Sequence, residues 1–139
     1  MIVAIPDSFK DLLEGPISVA LTTVIPDGQP QTTVVWCNYD GTYVLVNTMS
    51  RFQKAKNMRL NPKVTLIAWR HSNPLRYLEV RGMVAEMTEE GAIQHLDELA
   101  VLYTGKAPYF GEVIPAEWKN RETPVLCKIA PTRVVAKSF

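Results

Sequence analysis

The sequence predicts a mainly β domain, a small antiparallel barrel with helical insertions. Three observations carry that expectation. Two Asp-Gly dipeptides, Asp27-Gly28 and Asp40-Gly41, separate β-branched apolar runs, which is the pattern of tight hairpins. Residues 77–86 alternate, with Leu78, Val80, Gly82 and Val84 on one side and Tyr77, Glu79, Arg81 and Met83 on the other. Six or so strand-like runs follow one another with one long helix between them, and closing such a sheet removes its exposed edges.

Along the chain, Pro6 to Glu14 reads as a short amphipathic helix with Phe9, Leu12 and Leu13 on one side, ended by Gly15-Pro16. Ile17 to Val24, Thr32 to Tyr39 and Thr42 to Thr48 then form a three-stranded meander around the two Asp-Gly turns. A helix is expected over Ser50 to Asn61, where Ser50 and Gln53 have the spacing of a capping box. Val64 to Arg70 and Tyr77 to Glu86 are strands. Thr88 is placed to cap a second helix with Glu89 and Glu90 in its first turn, and Gly105 to stop it. In that helix Ile93, Leu96, Leu99, Ala100 and Tyr103 make the apolar stripe, and His95 falls on the polar side. Residues 106–122 are irregular and aromatic. Thr123 to Ile129 is a last strand, which Val134 and Val135 extend.

With 139 residues, 47% apolar and 21% charged, the chain has the profile of a single globular domain, 1–139. A chain of this length buries roughly two-thirds of its unfolded surface, so it needs no disulfide or structural metal to fold. Cys37 and Cys127 match no metal-binding or redox spacing and sit in apolar runs, so they are expected as buried thiols. No apolar run approaches the length that spans a bilayer, and Met1 to Lys10 does not read as a signal peptide. The expectation is a cytoplasmic protein without a membrane partner.

The net charge of +1 conceals an asymmetry. Residues 51–81 hold eight basic side chains and one acid, Glu79, while the remainder holds seven basic and 13 acidic. Within the basic stretch, Arg51 and Lys54 fall in the expected first turn of a helix, where the macrodipole disfavours cations. Cations at a cationic helix end make sense when an anion sits between them. A phosphate held by the amides near Ser50–Gln53, the hydroxyls of Thr48 and Ser50, and Arg51 and Lys54 fits this pattern. A solvated basic face is the plainer reading of the same residues. Trp36 shares a strand face with Thr32, Val34 and Asn38, where it either walls a ring-binding groove or packs in the core. His71 and His95 are the only histidines and lack a third partner, so no metal site is expected. A phosphate site and flat aromatic surfaces, with little acid–base machinery, suit a cofactor that brings its own chemistry.

The order of elements, together with NTMSRFQKAKNMRLNPKVTL (47–66) and NPLRYLEVRGMVAEMTEEGA (73–92), resembles the pyridoxamine-phosphate-oxidase-like split-barrel family. The resemblance covers about residues 9–135. Its most specific part is the run carrying Lys54, Lys56, Asn57, Met58, Arg59, Asn61 and Pro62; LEVRG (78–82) is the second. The resemblance implies a six-stranded antiparallel split β-barrel of the FMN-binding type. It also implies a homodimer, with two cofactor sites in grooves across the interface. Thr48, Ser50, Arg51, Gln53, Lys54 and Asn57 match positions that bind the cofactor's phosphate or ribityl portion. Together with Trp36, they are the expected cofactor-binding residues. Two departures set the chain apart from the true pyridoxamine phosphate oxidases. Phe52-Gln53 separates Ser50-Arg51 from Lys54, and Tyr77 and Glu79 replace a Gln and an Arg. Both resemble the flavin/deazaflavin oxidoreductase branch that uses coenzyme F-420.

The resulting expectation is a flavoprotein-like oxidoreductase that moves hydride between F-420 and a small organic substrate, without an assigned catalytic acid or base. FMN is the alternative cofactor. A non-catalytic tetrapyrrole or cofactor carrier is the alternative from another class. Single-stranded RNA binding through residues 51–70 is disfavoured, because the basic residues cluster on one short element.

Overall fold

The two Asp-Gly hairpins form for a local reason. In the computed structural model, which describes residues 1–139, Asp27 Oδ1 accepts from the Gln29 amide at 2.9 Å. Asp40 Oδ1 accepts from the amides of Thr42 and Tyr43 at 2.8 and 2.7 Å. Gly28 and Gly41 take φ of 95° and 96°, the left-handed conformation such turns require. These turns join β1 (Ser18–Val24) to β2 (Pro30–Val35), and β3 (Cys37–Tyr39) to β4 (Val44–Met49). Helix α1 (Gln53–Leu60) follows, then β5 (Lys63–Arg70), β6 (Asn73–Thr88), α2 (Ala92–Thr104) and β7 (Pro124–Ser138).

All seven strands form one curled antiparallel sheet in the order β2-β1-β5-β6-β7-β4-β3. The count is seven where six were expected, because the run Thr32–Tyr39 breaks at Trp36 into β2 and β3. Those two strands are the outer edges of the sheet. The curl therefore brings both edges together at a single residue, Trp36. At the break, the Tyr103 hydroxyl accepts from the Cys37 amide at 3.2 Å and donates to the Cys37 carbonyl at 3.4 Å, satisfying backbone at the edge of the ladder.

Alternation fills the interior. Val19 and Leu21, Val44 and Val46, Leu66 and Ala68, Leu78 and Val80, and Cys127 and Ile129 point inward from five strands into a continuous core. The expected N-terminal helix is a 3-10 helix, Asp7–Leu13, which packs on the core and buries Leu12 and Leu13 completely. Asp11 fastens that segment to the sheet through Arg76 at 2.8 Å and Arg70 at 3.2 Å. Both thiols are buried, and burial pushes each pKa up to about 12.

Both α-helices start later than expected. At α1 the N-cap is Phe52, without a side-chain cap, so Ser50 and Gln53 form no capping box. Strand β6 continues to Thr88, whose hydroxyl accepts from the Glu90 amide in a turn. Gly91 is the N-cap of α2, and no acid lies in its first turn. Ala92, His95, Leu96, Leu99 and Ala100, spaced three and four apart, form the buried stripe, while Ile93 is 41% exposed. His95 is thus in the buried stripe and not on the polar side. Its Nε2 meets Asn38 Oδ1 at 2.9 Å and its Nδ1 meets Asn47 Nδ2 at 3.2 Å, fixing α2 to β3 and β4. Gly105 ends α2 in the left-handed conformation.

Two predictions follow from this packing. A Cβ added at Gly82 would lie 2.6 Å from the Ala130 carbonyl oxygen and 2.8 Å from Ile129 Cγ2, where β6 and β7 shift register. Gly82→Ala is expected to lower stability by roughly 1–3 kcal/mol in urea unfolding, since backbone and core must move apart. Burial lowers the His95 pKa from 6.5 to about 4. Below pH 6.5 the unfolded chain takes up a proton that the folded chain refuses until about pH 4, so stability falls as pH drops through that window. His95→Gln is expected to lose this component, giving a shallower decline in the urea midpoint between pH 7 and pH 4.5.

Candidate functional site

The seam at Trp36 opens onto a cavity of about 180 Å³. Its apolar wall comes from Val34, Val35, Met49, Leu96 and Leu99, and its aromatic wall from Trp36 and Tyr109. Trp36 stacks on Tyr103 at 5.2 Å between ring centres, with the planes 15° apart, and meets the Tyr109 ring edge-on at 5.8 Å. An indole held on two sides is an ordered, flat surface for another ring. The Tyr109 amide donates to Asp97 at 2.8 Å, so α2 also holds this second aromatic residue in place. Burial raises the Tyr109 pKa, and the charge of Glu122 adds to the shift, keeping the phenol protonated.

Strand β4 and the turn after it supply the polar side. Asn47 and Thr48 line the cavity, and both Asn47 Oδ1 and Thr48 Oγ1 are buried without a hydrogen-bond partner. Lys54 lines the mouth beside Phe52, its ammonium 5.5 Å from the ring centre. Lys54 makes no ion pair, and desolvation lowers its pKa. A partly desolvated cation without a counter-charge is costly to hold. The backbone N–H groups of Gln53 and Lys54 donate to no protein acceptor, as expected for the first turn of a helix. A cation in the lining, next to a helix start with two free amides, fits a ligand with an anionic group.

Of the residues expected from the sequence, Trp36, Thr48 and Lys54 line this cavity. The others are engaged elsewhere. Ser50 accepts from Arg59 through both its hydroxyl, at 3.0 Å, and its carbonyl, at 3.1 Å. Arg51 lies before the N-cap and pairs with the buried Glu122 at 2.6 Å, its guanidinium 5.0 Å from the Phe52 ring centre. Gln53 donates to Asn57 at 2.7 Å. Asn57 is fully buried, its amide donating to Thr23 and Gln31 at 3.0 Å each, so it ties α1 to β1 and β2. Asn47 and Glu122 were not singled out in the sequence. Asn47 did carry a signal, as a carboxamide in the mostly apolar run VLVNTM. His71 is exposed, and no three His, Cys, Asp or Glu side chains are placed to hold a metal.

Comparison with known proteins agrees with this architecture. The family described as pyridoxamine 5'-phosphate oxidase matches residues 5–137. A solved structure named as an F-420 reductase superposes with a TM-score of 0.80 at 30% identity, covering 94% of this chain and 98% of that one. A conserved hypothetical protein from Mycobacterium tuberculosis gives 0.75 at 25% identity, covering 99% and 86%. A protein from Listeria innocua described as a pyridoxamine 5'-phosphate oxidase shares the fold at 0.67 and 19% identity, covering 94% and 95%. No protein in the curated set matches the sequence. The match across nearly the whole chain, on a curled antiparallel sheet, places this protein in the pyridoxamine 5'-phosphate oxidase family of split barrels.

Proposed function

We propose that the protein is an oxidoreductase that binds coenzyme F-420 at the Trp36–Lys54 cavity and exchanges hydride between it and a small organic substrate. The observation that carries this reading is that the partly desolvated Lys54 and the ordered ring of Trp36 line one cavity, with free amides at the adjoining start of α1. When bound, the coenzyme supplies the two-electron chemistry. The chain supplies the rest. Lys54 and the two amides hold the phosphate, Trp36 supports the ring, and Val35, Met49, Leu96 and Leu99 exclude water. Among the cavity's own side chains only Tyr109 holds a transferable proton on a neutral group, whereas Tyr77 and His71 lie outside the lining.

FMN is the second reading, favoured by the family's description. The similarity to an F-420 reductase, together with Tyr77 and Glu79 on β6, supports the deazaflavin. A tetrapyrrole carrier is less well supported. His71 is outside the cavity, and both ring nitrogens of His95 are already bonded. RNA binding is likewise less well supported, because Arg51, Arg70, Arg76 and Arg81 of the basic stretch each pair with an acid.

The active form in this proposal is a homodimer. A cavity of about 180 Å³ is below the usual range of roughly 300–1,000 Å³ for ligand sites, so it holds only part of a cofactor. Val34, 77% exposed, and Phe52, 36% exposed, border it and would be covered by a second copy. Sedimentation is expected to give twice the monomer mass; a monomer that still binds cofactor contradicts this arrangement. Lys54→Ala is expected to weaken F-420 binding by about 1.5–3 kcal/mol in a fluorescence titration, the scale of a hydrogen bond to a charged group, with the urea midpoint unchanged. Micromolar binding of neither F-420 nor FMN by the wild type overturns the reading.

A further inference from the structure

Helix α1 buries only three side chains, Ala55, Asn57 and Met58, so one of its three anchors is polar. Asn57 has no exposed surface, and both hydrogens of its amide are used. Its Nδ2 donates to Thr23 Oγ1 on β1 and to Gln31 Oε1 on β2, at 3.0 Å each. Its Oδ1 accepts from Gln53 Nε2, one turn earlier in the helix, at 2.7 Å. Thr23 and Gln31 are partners across the β1–β2 ladder, and the Thr23 hydroxyl donates to the same Gln31 oxygen at 3.4 Å. These bonds join the two sides of the cavity. On one side, α1 starts at Gln53 and places Lys54 in the lining. On the other, β2 runs from Pro30 through Gln31 to Val34 and Val35, which line the cavity together with Trp36 just beyond the strand. Neither Asn57 nor Gln31 belongs to the lining, so both act on its geometry without touching what it holds. Moving α1 away from β2 would strand the buried amide of Asn57 without acceptors, which is unfavourable.

We propose that Asn57 is a positioning residue that holds the Lys54 end of the cavity at a fixed spacing from its Trp36 end, and so makes the site selective for a ligand that carries both a flat ring and an anionic group. The inference rests on the proposed cofactor site and deepens it. Two contacts on one ligand reinforce each other only while their spacing matches that of the ligand. Trp36 is held separately, by Tyr103 and Tyr109. Loosening α1 therefore leaves the ring seat in place and removes the added hold on the anionic group.

The test compares each coenzyme with its phosphate-free core, FMN with riboflavin and F-420 with its ribityl deazaflavin, by fluorescence titration of the intact protein. The wild type is expected to bind the phosphorylated form at least about tenfold more tightly, the scale of charge-assisted hydrogen bonds. Asn57→Leu should reduce that preference to about twofold while changing affinity for the bare core by less than about twofold. Gln31→Leu, at a half-buried position where folding survives the change, should reduce the preference in the same way. Gln31→Glu should retain it, because a carboxylate oxygen still accepts from Asn57. A purely structural network would lower the urea midpoint and weaken both forms alike. That outcome, an unchanged preference in both leucine variants, or a Gln31→Glu protein that behaves like Gln31→Leu overturns this inference and leaves the cofactor reading standing. Binding of neither coenzyme by the wild type overturns the cofactor reading and this inference with it.

Discussion

A single break in one strand organises the molecule. The run from Pro30 to Tyr39 is interrupted only at Trp36, and its two halves are the opposite edges of the seven-stranded sheet. Backbone at such a junction cannot complete the ladder on both sides. Tyr103 supplies the missing partners at Cys37, and burial pushes its phenol pKa up to about 12, so it stays a neutral donor. The same helix brings His95 against Asn38 and Asn47. Helix α2 therefore does two jobs from one face: it secures the seam in the sheet and builds the back of the cavity that opens there. The cavity and the closure of the sheet share the same contacts.

Charge is distributed to match. The basic stretch that stands out in the sequence is largely neutralised in the fold, because Arg51, Arg70, Arg76 and Arg81 reach acids on other segments or, for Arg81, on the same strand. Arg59 is spent on the Ser50 turn. Lys54 remains partly desolvated and without a counter-ion at the cavity mouth. A small local excess of positive potential in a low-dielectric opening favours one anionic group more effectively than a broad basic surface would. Of the eight basic side chains in that stretch, Lys54 is the one that lines the cavity.

Much of the sheet was legible because its signals are local. The Asp-Gly turns act through their own carboxylates, and the alternation in residues 77–86 survives as the buried row Leu78, Val80 and Gly82. The strand break at Trp36 was not legible, since no glycine or proline marks it; the backbone beside it, at Cys37, is satisfied by Tyr103, 66 residues further along the chain. Helix starts failed for a related reason. Ser50 and Thr88 are good capping residues, but the chain stays in a turn at one and in β6 at the other. His95 lies three residues after Ala92 and four before Leu99, so helical spacing carries it inside with them. Of the expected binding residues, those on or beside the seam reach the cavity. Asn57 instead satisfies Thr23 and Gln31, a long-range network with no sequence signature.

The claim on which the functional account rests is that cofactor binds at the seam. Amide chemical-shift mapping of the intact protein, titrated in turn with F-420 and FMN, tests it most directly. The account predicts that the largest changes fall on the amides of Gln53 and Lys54 and on the Trp36 indole. Changes concentrated instead on the outer groove at Lys63, Arg81 and Gly82, with the Gln53 and Lys54 amides unmoved, would contradict it.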